Sequence, residues 1–280
     1  MFDRFLSTLS IVSRIPVKIR FTFDPSRMDY YLPVTGVCPA LAGLLVFGGC
    51  SLLWNNPLLT GIIVLIAQYC CFNLFHLDGL MDTADAFLGS ADKEKRQAIL
   101  KDSRIGVYGF FAGFAVLALK TSLLCALAPF IFRYPALLLA YPLCGRFAAS
   151  LIPCMTHPAN PGGLGALTRD AKPFRCVLGL ITGLLLWLLL AWGLLKLAAL
   201  ALPLCFDTGF LGAAASPAFL PVALIPGLSL VIGPLTALFY ARLYEKSLGG
   251  YTGDALGAAV ETAEIFYLMA SYIILPLLTA

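Results

Sequence analysis

His76-Leu77-Asp78-Gly79-Leu80-Met81-Asp82-Thr83-Ala84-Asp85 stands where a long apolar run gives way to charge, and Lys101-Asp102-Ser103-Arg104-Ile105-Gly106 follows after a charged loop. Asp78, Asp82 and Asp85 are spaced by four and then three residues. On a helix turning about 100° per residue, all three fall within an arc of roughly 60°. Like charges so placed repel, and more strongly beside lipid than in water. A cation belongs between them. Carboxylate oxygens suit a hard divalent ion, and Mg²⁺ bridging to a phosphate is the economical occupant. A solvated helix end just past a membrane span would leave three acids on one face unexplained.

The surroundings of this stretch are apolar to a degree that excludes a soluble domain. The chain has 280 residues, of which 60% are hydrophobic and 12% charged, against about 25% charged in ordinary soluble domains. Its mean hydropathy is +0.90. Residues 2–14 place Phe2, Phe5, Leu6, Leu9 and Val12 on one stripe, which predicts a short amphipathic helix in the membrane interface. Apolar runs of about 20 residues, enough to cross a bilayer, follow at 33–54, 57–75, 107–129, 134–153, 176–202, 217–240 and 263–280. The expected fold class is all-α: a polytopic helical membrane protein with about seven transmembrane helices plus the N-terminal interfacial helix. Residues 1–280 read as one integral-membrane domain. The first long run begins only near Leu32, so no cleavable signal pattern is seen. The nine cysteines include no C-x-x-C pair and read as small buried hydrophobes.

Seven crossings put segments 1–32, 76–106, 154–175 and 241–262 on one side. With Arg146 at the edge of the fourth run, that side holds all nineteen Lys and Arg except Lys120, Arg133 and Lys196. The positive-inside rule makes it cytoplasmic, with the N-terminus in and the C-terminus out. The fifteen Asp and Glu gather there too, apart from Asp207. One chemical centre facing the cytoplasm is expected.

Three further segments offer chemistry on that side. Arg104 presents a planar donor fork and Lys101 a point charge for phosphate, while Asp102 and Ser103 offer oxygens to metal or water. Gly249-Gly250-Tyr251-Thr252-Gly253-Asp254 is a glycine-rich turn opening a helix, the backbone form of an anion site. Beyond it Asp254, Glu261 and Glu264 share an arc of about 80°, and acids inside a span carry function by default. His157 to Arg169 is a Gly/Pro loop that could cover a substrate. Arg146, inside a short span, needs an acid or a phosphate as partner. His76 could carry a proton or simply sit in the interface.

These pieces, in this order, resemble the cobalamin synthase family, the adenosylcobinamide-GDP ribazoletransferases. The resemblance covers nearly the whole chain. It includes Arg14-Ile15-Pro16-Val17, Tyr31-Leu32-Pro33-Val34-Thr35-Gly36, the aspartate block, the Lys101–Gly106 block, and Gly249–Asp254 with its downstream glutamates. Ala86 stands where the family usually has glycine, and Val107 where it usually has threonine; neither removes a ligand.

The resemblance implies a Mg²⁺-dependent, multi-pass enzyme of the bacterial inner membrane. It would join adenosylcobinamide-GDP to α-ribazole, or to its 5′-phosphate, and release GMP. Asp78, Asp82, Asp85, Asp102, Asp254 and Glu261 are then the expected metal ligands, with Asp85 as a candidate general base. Lys101 and Arg104 would clamp the diphosphate. His76, Ser103, Arg146, Gly250, Thr252 and Gly253 would contact substrate. Membrane lipid is the other expected partner, nucleic acid is not one, and a homo-oligomer is left open. A CDP-alcohol phosphotransferase and a cation-coupled transporter are the rival readings.

Overall fold

The structure is a computed structural model and describes residues 2–16, 18–54, 56–89, 92–134, 138–201 and 224–279. Among them it is helical throughout: α1 (Phe2–Val12), α2 (Met28–Thr35), α3 (Val37–Leu53), α4 (Pro57–Gln68), a π turn (Tyr69–Asn73), α5 (Leu74–Gly89), α6 (Lys93–Ile99), α7 (Val107–Arg133), α8 (Tyr141–Leu151), α9 (Pro173–Ala201), α10 (Ser229–Leu248) and α11 (Gly253–Thr279). Short 3₁₀ turns occupy Ile152–Cys154 and Leu164–Thr168. Backbone polar groups cannot be left unpaired in hydrocarbon, so apolar runs of this length close their hydrogen bonds within helices.

Among the described residues, six helical segments are long and apolar enough to cross a membrane: Met28–Leu53, Pro57–Gly89, Val107–Ile131, Pro173–Leu194, Leu224–Leu248 and Gly253–Leu278. This is a multi-pass membrane protein. The second segment does not stop at residue 75 as expected. It runs on without a break through the aspartate block, by way of the π turn. The last begins ten residues before the expected 263, so Asp254, Glu261 and Glu264 all belong to one helix. Asp207 and the start of the sixth expected run, 217–223, lie outside the described residues.

The fourth expected span, 134–153, departs from the pattern. Its described helix, α8, has 11 residues, about 16 Å of rise, and every one of them is buried. It packs against α11, α10, α2 and α9. An apolar run of spanning length is here a short helix enclosed by protein, because Tyr141 and Arg146 find polar partners inside the bundle that lipid would not supply.

Helix α11 is the centre. It packs on α5, α7, α8 and α10, and 61% of its most apolar window is buried, against 28–44% for the other five segments. The N-terminal helix α1 lies against α2, with Leu6, Leu9 and Val12 buried and Phe2 exposed. Arg4 holds Asp24 at 2.7 Å, tying the following strand of chain back onto α1. The described cysteines are all free thiols.

Candidate active site

The site is made where α5 crosses α11. Two glycines set the crossing. A Cβ on Gly79 would lie 3.0 Å from both Cα and O of Asp254, and one on Gly257 would lie 2.9 Å from the carbonyl oxygen of His76. The backbones therefore touch, and Asp254 on the first turn of α11 sits beside the acidic face of α5. Asp82 lies within the fields of Asp78, Asp254 and Asp85. Thr252 Oγ1 donates to Asp254 Oδ2 at 3.0 Å. Among the described residues no cation pairs with Asp78, Asp82 or Asp254. Carboxylates from two helices thus come near one another at one end of the bundle.

Asp85, the third acid of the α5 face, is turned to a different task. Its carboxylate accepts from Gly106 N–H at 2.7 Å and Gly109 N–H at 2.8 Å. Those amides belong to the N-cap and first turn of α7, donors that a Ser or Asp at the cap normally satisfies. Gly106 has no side chain to do so, and Asp85 supplies the carboxylate from the neighbouring helix, where the helix dipole also favours it. A Cβ on Gly109 would collide with Asp85 and come within 2.8 Å of Met81 O, so glycine is required for the approach. Asp85, expected as metal ligand and general base, is found with each oxygen accepting one amide, anchoring the loop that carries Lys101 and Arg104.

In that loop Arg104 and Asp102 pair with each other at 2.6 Å, with the Arg104 side chain 87% exposed. The hydrogen bond from Arg104 holds the Asp102 carboxyl down to about 2. Asp102, expected as a metal ligand, is found as the guanidinium's partner. Lys101 and Ser103 are exposed. Exposed pairs of this kind exchange partners at little cost, so Arg104 is available to an incoming phosphate.

The glycine-rich turn differs from a free anion cradle. Gly249 closes α10 in the left-handed region (φ 78°) and donates to Glu245 O. Tyr251 N–H donates to His157 O and Tyr251 O accepts from Ala159 N–H, a one-residue bridge that clips the 157–169 loop to the turn. Gly250, at φ 149°, is pressed against the same loop. The Tyr251 hydroxyl, 3.1 Å from Thr168 Oγ1, donates to Gly165 O. Two of the turn's amides are thereby spent. Gly253 has open space around it, beside Asp254.

Glu261 and Arg146 are brought together, but away from the carboxylate cluster. Lys120 Nζ lies 2.6 Å from both Glu261 Oε2 and Glu264 Oε2, and the three side chains are fully buried. Tyr69 OH donates to Glu261 Oε2 at 2.5 Å. Arg146 reaches Glu264 at 3.4 Å and Asn73 Oδ1 at 2.9 Å, and Asn73 Nδ2 donates to Glu264 at 3.2 Å. Glu261, expected as a metal ligand, and Arg146, expected to contact substrate, are found in a charge-balanced network inside the bundle. His76 is buried between the two centres, with neither ring nitrogen paired. Lys120, Tyr69 and Asn73 were not singled out from sequence. A lone lysine in an otherwise apolar run was the available signal.

The donors at the crossing fit a hard divalent cation in kind. Among the described residues no three carboxylates, histidines or cysteines are grouped closely enough to hold an ion by themselves. That suits Mg²⁺, which is ordinarily held by one or two carboxylates with water and substrate phosphate completing its shell.

Fold and site together define a multi-pass helical membrane protein with carboxylates from two crossing helices near one end of the bundle, and with Asp85 tying a cationic loop to one of them. Comparison with known proteins narrows this. The chain belongs to the family described as cobalamin-5-phosphate synthase, which matches residues 4–272. It is 33% identical over 270 residues to the adenosylcobinamide-GDP ribazoletransferase of Pseudomonas paraeruginosa, covering 95% of this chain and 96% of that one. The protein of the same description from Bradyrhizobium diazoefficiens is 32% identical over 250 residues (88% and 83% covered), and that from Thermosipho melanesiensis 30% over 262 (92% and 94%). No solved structure matches the chain.

Proposed function

We propose that the chain transfers the cobinamide phosphate of adenosylcobinamide-GDP to the 3′-hydroxyl of α-ribazole, or of its 5′-phosphate, releasing GMP. A new O–P bond forms to the ribazole oxygen. The bond from that phosphorus to the bridging oxygen breaks, and GMP leaves with the electron pair. The observation that carries this is the convergence of Asp78 and Asp82 with Asp254 at the Gly79–Gly257 crossing. Phosphoryl transfer needs positioning and charge neutralisation more than covalent catalysis.

One or two of Asp78, Asp82 and Asp254 would hold Mg²⁺, which would supply neutralisation of the phosphate oxygens and of the leaving group. Arg104 and Lys101 contact the diphosphate from the loop that Asp85 anchors. Asp82 is the residue we assign to take the hydroxyl proton, since Asp85 is occupied with Gly106 and Gly109. The 157–169 loop, clipped to Tyr251, lies against Thr252 and Gly253 beside Asp254. The positive-inside count puts this end of the bundle at the cytoplasmic face of the bacterial inner membrane.

The test is nucleotide release from protein purified in detergent. GMP should appear only when adenosylcobinamide-GDP, α-ribazole and Mg²⁺ are all present. Release of CMP from a CDP-alcohol, with no GMP from the corrinoid, would replace this reading with the CDP-alcohol one.

A further inference from the structure

The buried network of Lys120, Glu261, Glu264 and Arg146 lies away from any phosphate, yet every element it joins leads to the active site. Glu261 and Glu264 follow Asp254 on α11 by two to three turns. Asn73 precedes Asp78 by five residues on the segment that becomes α5. Tyr69 and Asn73, which the network grips, are the first and last residues of the π turn.

A π turn holds one residue more than an α turn. It therefore rotates everything downstream by about 100° relative to an uninterrupted α-helix. Without that rotation, Asp78 and Asp82 would not face Asp254. The turn is also costly, since it breaks the regular ladder and frees a carbonyl. Here Cys71 O, inside the turn, accepts from Arg14 N–H at 2.9 Å. Such irregularity persists only where surrounding structure over-determines it, and the buried charges bonded to Tyr69 and Asn73 provide that constraint.

We infer that this network is a positioning device for the carboxylate centre: it locks the π turn, and the turn fixes the rotation at which α5 presents Asp78 and Asp82 to Asp254. Lys120, Glu261, Glu264, Asn73 and Tyr69 are positioning residues. None touches substrate. The inference rests on reading the three aspartates as a cation site.

The test uses the full chain in detergent, with Mn²⁺ as a paramagnetic probe whose binding is read by electron paramagnetic resonance without substrate. Tyr69→Phe removes one hydroxyl from the lock. Lys120→Met combined with Glu261→Gln removes one charge pair while keeping the interior neutral. Leu127→Ala, a fully buried core position outside the network, serves as a destabilised control. Both network variants should weaken Mn²⁺ binding about tenfold and raise the Mg²⁺ needed for half-maximal GMP release by the same factor. Leu127→Ala should lower the thermal midpoint and leave Mn²⁺ affinity unchanged. If the double variant does not fold, Tyr69→Phe decides alone.

Unchanged Mn²⁺ affinity in the network variants would overturn the inference, as would an equal loss in Leu127→Ala. So would failure of the unaltered protein to bind Mn²⁺. A protein that binds Mn²⁺ with the expected variant pattern but releases no GMP would sink the proposed reaction and leave the positioning role standing.

Discussion

Asp85→Asn distinguishes an anchor from a metal ligand. The carboxylate holds two amides at 2.7 and 2.8 Å in a nearly buried position. Hydrogen bonds to a charged group contribute about 1.5–3 kcal/mol each. Asparagine keeps one acceptor oxygen without its charge, and turns an N–H₂ toward the other amide donor. One bond is lost outright and the second weakened, so the tether between α5 and the start of α7 should lose about 2–4 kcal/mol. At about 1.4 kcal/mol per tenfold, amide exchange through local opening should accelerate by about thirty- to several-hundred-fold. The assay is hydrogen–deuterium exchange read on peptides covering residues 100–112, alongside GMP release at graded Mg²⁺. Protection should fall in those peptides and the KM for adenosylcobinamide-GDP should rise, because Lys101 and Arg104 lose their mooring. The half-maximal Mg²⁺ concentration should stay put. Unchanged exchange together with a shifted Mg²⁺ dependence would refute the anchoring argument and return Asp85 to the metal.

Other substitutions test neighbouring parts of the same site. Gly79→Ala puts a Cβ 3.0 Å from the Asp254 backbone, so it should cost about 1–3 kcal/mol by overpacking and abolish GMP release, whereas Gly253→Ala, in open space, should melt like the unaltered protein. Asp82→Asn should abolish turnover while the thermal midpoint stays level or rises, since it relieves repulsion from Asp78 and Asp254; an active but unstable variant would contradict this. Arg104→Ala should leave the thermal midpoint unchanged, since the Arg104 side chain is 87% exposed and pairs with its near neighbour Asp102, and should raise the KM for the diphosphate substrate without altering Mg²⁺ dependence. For sidedness, a cysteine introduced at Asn56 in a cysteine-free background should react with an impermeant reagent applied to the periplasmic face, and one at Lys95 should not.

The helical class was legible because hydropathy acts locally, and the shared face of the aspartate block because spacing does. What spacing could not convey was height. Asp254 and Glu261 share an arc on α11, but seven residues separate them by about 10.5 Å of rise, more than one ion can bridge. The same seven residues separate Asp78 from Asp85. Angular patterning therefore grouped residues that the axial distance divides between three tasks: cation centre, loop anchor and interior network. The crossing of α5 and α11 was hidden because it depends on Gly79 meeting Gly257, a pairing of small residues that leaves no mark on either helix alone. Hydropathy marked the fourth run but does not distinguish a helix facing lipid from one enclosed by protein. Its Arg146 was the sign of enclosure, and its partner was rightly sought among acids or phosphates without being placed.

The interior network also sets a schedule for making the protein. Lys120 and Arg146 enter the bilayer well before the helix that carries their counter-charges: 118 residues separate Arg146 from Glu264. At about 5–20 residues per second, synthesis of that interval takes on the order of ten seconds. During that time two cations wait in a half-built bundle, with water, lipid phosphate or the insertion machinery as temporary company. Arrival of α11 neutralises both in one event and, by the same contact, brings Asp254 to α5. Assembly of the interior and creation of the catalytic end thus coincide, so a nascent chain is inert until its final described helix is seated.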